Sequence, residues 1–233
     1  SDNVFTIADN KIKDIGFANI EHLIENKLEG GLHSGKLVQA LTQKVQSMGV
    51  QVLYGIDVSH YIQKDDFIEI ATTAATFYTK QLLLCTNAFT KKLVPDIDII
   101  PNRGQVLLTE PIKDLKVKGT FHFDEGYYYF RNLGNRLLIG GARNKAFEQE
   151  NTTEIDITEN IQTTLENFIQ TYLLPDTDFT VTDRWSGIMA MGTEKIPIVK
   201  ALSKNVFCCV RMSGMGVALA PIVAKEVALL MNR

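Results

Sequence analysis

The sequence predicts a mixed α+β and α/β fold, in which a layer of strands and helices is interrupted by an inserted, mostly antiparallel sheet. Three observations predict it. The apolar run Gln81–Thr86 has the composition of a buried strand and ends in Asn87. Residues 100–190 are rich in aromatic and aliphatic runs separated by turn residues. The chain then returns to a strand, a glycine-rich turn and a helix, so we expect parts at 1–99, 100–190 and 191–233.

The first part alternates between helical and extended patterns. A helix is predicted to begin at Ser34 as N-cap and to run through Met48, because apolar residues recur on one face and Gly49 ends the pattern. Short apolar runs bounded by turn residues predict strands. They are Val50–Tyr54, Val58–Ile62, Phe67–Ile70, Thr76–Thr79 and Gln81–Thr86.

The later parts contain a sheet, one helix and a closing strand–helix pair. Gly134-Asn135 predicts a tight turn, and Glu159–Tyr172 predicts an amphipathic helix. A terminal helix should start at about Val217. The predicted strands are Gln105–Thr109, Tyr127–Arg131, Arg136–Gly141, Phe179–Trp185 and Val206–Val210.

The composition excludes several functions. A net charge of −3 with scattered basic residues gives no electrostatic footprint for nucleic acid. No apolar run approaches the roughly 20 residues of a membrane helix. The four histidines have no metal-ligand spacing, so no metal is expected. Cys85 and the adjacent Cys208 and Cys209 are expected to be buried thiols in a reducing, cytoplasmic compartment.

The segment from Gly30 to Lys36 satisfies most of a phosphate-binding P-loop pattern. The residue after the lysine should be Ser or Thr to hold magnesium, and it is Leu37. The stretch before it is also too charged for a buried strand. We therefore interpret this segment as a turn followed by a helix cap.

An ordered set of motifs resembles the FAD-dependent oxidoreductases of the D-amino-acid oxidase and glycine oxidase family, from about Leu28 to the C-terminus. The motifs are Asn87-Ala-Phe89, Ile100–Thr109, Tyr127–Arg131, Leu137–Arg143, Trp185-Ser-Gly187 and Arg211–Val217. The resemblance implies a partial FAD-binding α/β layer with an inserted substrate-binding sheet. It also implies FAD as the cofactor and a small-molecule amine or amino acid as the substrate.

The resemblance implies FAD contacts at three places. Val58 would offer backbone hydrogen bonds to the adenine end. The strand end would lie by the dinucleotide, although a helix cap formed by Thr86 or Asn87 is an equal alternative. The glycine-rich turn would face the pyrimidine edge of the flavin, where N–H groups and the helix dipole stabilise negative charge. The residues implied at the last two places are Thr86, Asn87 and Ala88, and Gly214, Met215, Gly216 and Val217.

The substrate side of the resemblance is incomplete. Tyr127 matches the family's active-site tyrosine, and Arg131, on the same face, is either an active-site charge or part of a structural ion pair. Met189 stands where the family places its carboxylate-binding arginine, and methionine cannot bind a carboxylate. We hypothesise that Arg143 supplies the anion contact instead, with Arg184 as a second candidate, or that the substrate is not a simple amino acid.

The family's Gly-x-Gly-x-x-Gly turn, which holds the FAD pyrophosphate, does not occur in residues 1–60. We therefore expect a truncated chain, the C-terminal part of a longer oxidoreductase, that binds FAD weakly or not at all and self-associates through exposed apolar surface. Two functions remain open. One is oxidation of a C–N bond by hydride transfer to flavin N5 in the parent enzyme. The other is a non-enzymatic or degenerate module that binds a ligand or a partner.

Overall fold

The computed structural model describes residues 4–232. Its strands are β1 Phe5–Ile7, β2 Ile24–Asn26, β3 Val58–Gln63, β4 Ile68–Thr72, β5 Thr76–Thr79, β6 Leu82–Leu84, β7 Ile100–Thr109, β8 Thr120–Phe123, β9 Tyr128–Leu133, β10 Arg136–Gly141, β11 Val181–Met191, β12 Ile198–Ala201 and β13 Val206–Val210. Its α-helices are α1 Ile12–Ile15, α2 Ser34–Ser47, α3 Thr90–Leu93, α4 Phe147–Glu150, α5 Glu159–Phe168 and α6 Gly216–Met231. None of the helices in this range is long and apolar enough to cross a membrane.

The chain forms two compact units. The first contains the residues through Leu32 and Arg103–Ile188, and the second contains His33–Asn102 and the residues from Met189 onward. The grouping differs from the sequence expectation for residues 4–32, which belong to the same unit as the five-stranded sheet and pair β1 with β2 in a small sheet of their own. The reason is aromatic packing, because the ring of Phe17 lies edge-to-face against Phe121 and Phe130, with centroids 5.0 and 5.8 Å away.

The first unit is built on a five-stranded sheet with the order β11-β7-β10-β9-β8. The pairs of β10 with β7 and β9, and of β8 with β9, are antiparallel. Leu133 pairs with Arg136, so the two-residue turn at Gly134-Asn135 is confirmed. Tyr127 precedes β9 and belongs to a turn in which its N–H bonds the carbonyl of Asp124 at 2.9 Å.

One face of this sheet is covered by α5. The amphipathic prediction for that helix is confirmed, because its apolar side is buried against the sheet, and the helix continues as a π-helical turn, Ile169–Leu173. The rings of Tyr128 and Phe168 stack with centroids 4.5 Å apart. Since side chains alternate along a strand, Tyr129 and Arg131 lie on the opposite face of β9. The core between the sheet and the helical segment contains Leu107, Phe130, Leu137 and Ile139 from the strands, and Ile161, Leu165 and Ile169 from the helical segment.

The second unit contains two three-stranded sheets. In β12-β13-β6, the central strand β13 is parallel to β6 and antiparallel to β12, and all of its residues are buried. The other sheet is the meander β3-β4-β5. α6 packs against β13 through Val223 and Val227. Strands and a helix are therefore layered in this unit, and α6 begins within one residue of the expected start.

Two predictions in the second unit are wrong in detail. Val50–Tyr54 does not form a strand, and Leu53 and Tyr54 are 59% and 73% exposed. An apolar run becomes a strand only where another strand satisfies its backbone hydrogen bonds. α2 is capped by His33 rather than Ser34, since the ring Nδ1 of His33 accepts from the N–H of Lys36 at 3.4 Å. No residue of α2 is buried.

The cysteine expectation is only partly met. Cys208 and Cys209 are buried in β13, but Cys85 is exposed because it follows the last residue of the short strand β6. β8, β12 and the pair β1–β2 were not predicted from the sequence. These strands are short, three or four residues each, and short runs carry little periodicity.

Candidate functional site

Three chain segments meet at the ends of β6 and β13 in the second unit. The side-chain Oδ1 of Asn87 accepts a hydrogen bond from the backbone N–H of Ala190 at 3.2 Å. The carbonyl of Ala190 accepts from the N–H of Ser213 at 3.3 Å. A Cβ on Gly214 would lie 3.7 Å from the Sδ of Met189. The structure therefore brings together Asn87, Met189 and Gly214, which are separate candidates in the sequence.

The backbone of this cluster is strained. Asn87, Arg211 and Ser213 have φ values of +48°, +62° and +48°, and Gly214 has +81°. Non-glycine residues adopt this left-handed region at an energetic cost, which is smallest for asparagine. Because β6 and β13 are parallel, their carboxyl ends lie at one edge of the sheet, where open α/β sheets hold ligands.

Arg211 holds its strained position through a buried guanidinium. Its Nε donates to the carbonyl of Ile196 at 2.9 Å, and its Nη1 donates to the carbonyl of Asp98 at 3.2 Å and also to the Asp98 carboxylate. The same carboxylate accepts from the hydroxyl of Thr193 at 2.7 Å. The Thr193 hydrogen bonds, and then the charge of Arg211, hold the pKa of Asp98 below its usual value. These bonds fix the turn that leads into α6.

The start of α6 is open. A Cβ on Gly216 would meet no atom within 4 Å, and Met215 and Val217 are 57% and 55% exposed. The side chain of Met215 makes no capping hydrogen bond. The first N–H groups of a helix have no partner within the helix, and the dipole places partial positive charge there. This turn can therefore approach a flat group closely and stabilise negative charge on it.

The other implied cofactor residues are placed as follows. The hydroxyl of Thr86 lies 2.8 Å from that of Thr90 and does not cap the following helical turn, and Ala88 is buried. Val58 opens β3, an edge strand of the meander, next to a register shift at His60. An edge strand leaves a row of backbone groups available, as a backbone contact requires. Val58 belongs to a different sheet from β6 and β13, the strands that Asn87 and Gly214 follow.

In the first unit the structure brings Tyr127 and Arg143 together. The guanidinium Cζ of Arg143 lies 5.5 Å from the ring centroid of Tyr127 and 5.3 Å from that of Phe147. The two rings meet edge-to-face with centroids 5.8 Å apart. We call Tyr127, Arg143 and Phe147 the aromatic corner. Phe147 was not a candidate from the sequence, where its only signal is that an aromatic residue stands four positions after a candidate arginine.

The chain path into the aromatic corner depends on Gly141. Its φ is +120°, and a Cβ there would lie 1.9 Å from the carbonyl oxygen of Tyr127. The next residue, Ala142, has φ +60°, and its N–H donates to the same carbonyl at 2.8 Å. The chain therefore turns sharply after β10 and places Arg143 beside Tyr127.

Tyr129 is a second residue that the sequence analysis did not assign. Its ring lies over Gly140, where a Cβ would be 2.7 Å from the hydroxyl oxygen. Burial raises the pKa of Tyr129, and the positive charge of Arg143 opposes that rise. The phenol therefore remains protonated at neutral pH and can donate a hydrogen bond.

The remaining candidate arginines have other contacts. Arg131 donates from Nη1 to the carbonyl of Leu32 at 2.6 Å and from Nε to the carbonyl of Asn132 at 3.3 Å, which ties down the backbone. Arg184 donates to the side-chain oxygen of Gln162 at 2.7 Å and pairs with Glu166, so it faces α5. Within residues 4–232, no group of three or more His, Cys, Asp or Glu side chains could hold a metal ion.

Comparison with known proteins decides the family. The model of the family described as "FAD dependent oxidoreductase" (DAO) matches residues 13–230. The chain belongs to this family. It is therefore a member of a family of flavin-dependent amino-acid oxidases and dehydrogenases, and FAD is the family's cofactor.

The curated relatives are distant. The chain is 25% identical over 208 residues to the bifunctional protein ThiO/ThiG of Synechocystis sp., covering 84% of this chain and 30% of that protein. It is 24% identical over 199 residues to a D-amino acid dehydrogenase of Vibrio atlanticus, covering 79% of this chain and 46% of that protein. The chain thus spans less than half the length of these relatives.

Solved structures of the family share the fold. L-proline dehydrogenase from P. horikoshii superposes with a TM-score of 0.83 at 18% identity, covering 97% of this chain and 64% of that one. Glycine oxidase from Geobacillus kaustophilus gives 0.83 at 17% identity, covering 98% and 63%. The mixed fold expected from the sequence is therefore confirmed.

The described residues fit one end of the family's cofactor. The open turn at Gly214–Val217, with its helix N-terminus, suits the polar edge of a flavin ring. The diphosphate end is different, because the sequence contains no Gly-x-Gly-x-x-Gly turn.

Proposed function

We propose that this chain contributes the flavin-ring and substrate contacts of an FAD-dependent enzyme that oxidises a C–N bond of an amine or amino acid. When bound, FAD supplies the redox chemistry by accepting the hydride from the carbon next to the nitrogen. The observation that carries the proposal is the meeting of Asn87, Met189–Ala190 and Ser213–Gly214 at the start of α6. Membership of the family gives that cluster its chemical meaning.

The cofactor-side residues have electrostatic and steric roles in this proposal. Gly214 and Gly216 admit the ring edge, and the N–H groups at the start of α6 stabilise negative charge on it. Asn87 and the Arg211–Asp98 pair hold the turn in place. Val58 contributes backbone hydrogen bonds at the adenine end, and Thr86 and Ala88 line the strand end.

The substrate-side residues bind and orient the substrate. Arg143 contacts a substrate anion, in the role that Met189 cannot perform, and Tyr127 flanks it. Tyr129, kept protonated by burial, donates a hydrogen bond. Arg131 contributes positive charge on the same sheet face while it donates hydrogen bonds to the backbone carbonyls of Leu32 and Asn132. A neutral amine loses hydride without a general base, so none is assigned.

We propose further that the diphosphate contact comes from a polypeptide segment of the same flavoenzyme beyond these 233 residues. The support is surface that no described residue covers. On α2, Val38 is 61% exposed and Leu41 is 54% exposed, and Met48 at its C-terminal end is 69% exposed. Helices gain most of their stability from packing an apolar face, so an uncovered face indicates a docking surface. Left uncovered, this surface favours self-association.

Analytical ultracentrifugation tests the uncovered surface. Analytical ultracentrifugation of the chain alone should show association that weakens in Leu41→Lys, because a charge disfavours apolar contact. The exposed Lys44→Gln on the same helix is the matched control. A chain that is monomeric at all concentrations and retains stoichiometric FAD would contradict the need for a further segment.

A flavin spectrum tests the main proposal. The absorbance of the chain is recorded before and after FAD is added and removed by desalting, and the absorbance of the parent flavoenzyme is then recorded during anaerobic addition of amines and amino acids. Bleaching of the flavin bands by one substrate class supports C–N oxidation. Retained FAD that no amine or amino acid bleaches would favour the ligand-binding module instead.

The location in the cell is part of the same proposal. Cys85, Cys208 and Cys209 are free thiols, and free thiols persist in reducing compartments. We therefore propose that the protein works in the cytoplasm. Cell fractionation of the parent protein is the direct check, and recovery from an oxidising compartment would contradict it.

A further inference from the structure

The ring of Phe147 is partly exposed and contacts a charged side chain and a second ring. The residue is 44% exposed, so burial gives it only part of the stabilisation that a core phenylalanine obtains. Its close ring contacts are with the other two members of the aromatic corner. The centroid lies 5.3 Å from the Cζ of Arg143 and 5.8 Å from the ring of Tyr127.

Glu150, at the other end of α4 from Phe147, holds this helical turn in place. That carboxylate is buried and accepts hydrogen bonds from the Nε and Nη2 of Arg103 at 3.0 and 2.9 Å. It also accepts from the Nε2 of Gln105 at 3.0 Å. Because Arg103 and Gln105 belong to the sheet strand β7, the helical turn is tied to the rigid part of the unit.

The segment before α4 is tied as well. The Nδ2 of Asn144 donates to the Oδ2 of Asp124 at 2.9 Å, and the N–H of Ala142 donates to the carbonyl of Tyr127. The backbone on both sides of Arg143 is therefore held. An arginine side chain has several rotamers, and packing against its guanidinium reduces their number.

Aromatic contact limits that freedom without consuming hydrogen-bond donors. A ring attracts a guanidinium through its π face, whereas the N–H groups point outward in the plane of the guanidinium. That edge binds a carboxylate with two parallel hydrogen bonds. A guanidinium that is already oriented loses less conformational entropy when the anion arrives.

We propose that Phe147 is a positioning residue, which together with Tyr127 holds the Arg143 guanidinium in the orientation that binds a planar carboxylate. The proposal rests on the proposed function, in which Arg143 contacts the anionic group of the substrate. It adds a residue whose effect passes through Arg143.

The experiment uses the full chain, with benzoate as a planar carboxylate probe and benzamide as its neutral counterpart. Phe147→Leu removes the π face and keeps apolar bulk, and Phe147→Tyr restores a ring. Phe77→Leu, at a half-exposed phenylalanine in the second unit, is the matched control. Affinities are measured by NMR titration, and the chemical shifts of the Arg143 side-chain protons report whether rings still lie against the guanidinium. Urea unfolding of each variant checks that it is folded.

The expected result is a specific loss. Phe147→Leu should weaken benzoate binding by about 2- to 5-fold, the effect of one exposed cation–π contact. It should leave benzamide binding unchanged and move the Arg143 proton shifts away from their ring-shifted values. Phe147→Tyr should restore both measurements, and Phe77→Leu should alter neither.

Three results would overturn the proposal, and they separate it from the proposed function. If Arg143→Met binds benzoate as the unmodified chain does, the carboxylate contact fails and the positioning role fails with it. If Arg143→Met loses binding but Phe147→Leu keeps it, only the positioning role fails. If Phe147→Leu weakens benzamide as much as benzoate, Phe147 acts as a direct apolar contact.

Discussion

A Cβ on Gly141 would lie 1.9 Å from the carbonyl oxygen of Tyr127, far closer than a non-bonded carbon and oxygen can approach. The carbonyl occupies this place because it accepts the N–H of Ala142 at 2.8 Å. The turn that brings Arg143 to Tyr127 therefore requires a glycine at position 141, where φ is +120°.

Gly141→Ala should lower the free energy of unfolding of the first unit by about 3 kcal/mol or more, because it adds backbone strain to a clash that no side-chain rotation relieves. Urea titration followed by the fluorescence of Trp185, the only tryptophan, measures it. Gly187→Ala is the control, because a Cβ there meets nothing within 4 Å. Equal stability of the two variants would show that the turn differs from the one described.

The buried pair of Arg103 and Glu150 should show strong non-additivity. Glu150→Gln leaves the guanidinium of Arg103, whose side chain is 5% exposed, without its counter-charge. Breaking one side of such a pair costs about 3–5 kcal/mol of unfolding free energy. The double variant Arg103→Leu/Glu150→Met should cost less than the single change, since no charge is left buried. Denaturant unfolding of both proteins tests this, and a double variant less stable than Glu150→Gln would argue against a desolvated pair.

The contact of Asp98 with Thr193 and Arg211 should make stability pH-dependent. The folded-state pKa of Asp98 is lowered, chiefly by Thr193, so the contact stabilises the protein fully above the unfolded-state pKa of about 4. That stabilisation is lost as the pH falls through the folded-state pKa. Asp98→Asn should be less stable than the unmodified chain at neutral pH, and the difference should shrink below about pH 4.

Thr193→Val supplies the matched variant for Asp98. It removes the largest cause of the lowered pKa and leaves the carboxylate and Arg211 in place. Its loss of stability on acidification should therefore be smaller than that of the unmodified chain and complete at a higher pH, because the folded-state pKa of Asp98 moves towards the unfolded-state value. Unfolding curves across this pH range decide the point, and an unchanged pH profile would exclude the Thr193 contribution.

Cys85 should react slowly with alkylating reagents although the residue is exposed. Its thiol lies beside Cys209, and partial enclosure raises its pKa from 9.0 to about 11. The thiolate is the nucleophile, so its fraction at neutral pH falls about 100-fold. Mass spectrometry after timed iodoacetamide treatment should give a correspondingly low rate, and Cys209→Ala should raise it. A rate equal to that of free cysteine would contradict the raised pKa.

The sequence could predict those parts of the fold whose signals are local. The turn at Gly134-Asn135 follows from two residues, and the buried side of α5 follows from the spacing of Ile161, Leu165 and Phe168. Val50–Tyr54 shows the limit, because its apolar character was read correctly but no strand pairs with it. Strand formation depends on a second segment that periodicity does not describe.

The candidate site shows the same division. Motif order alone identified Tyr127, Arg143, Asn87 and Gly214 as candidates. The local sequence could not indicate that Asn87 bonds the backbone of Ala190, 103 positions away. The sequence could not identify Phe147, because a single exposed phenylalanine forms no periodic pattern. Its contact with Arg143 exists only after the chain turns at Gly141.

The sequence by itself determined the family, the mixed fold and the absence of the diphosphate-binding turn, because each is written in the identity and order of neighbouring residues. Only the tertiary structure decided that Asn87, Met189 and Gly214 converge, that Arg131 bonds backbone carbonyls, and that Arg143 lies against two rings. The physical reason is that hydrogen bonds and ring contacts act over a few ångströms in space, whereas the residues that make them are far apart along the chain.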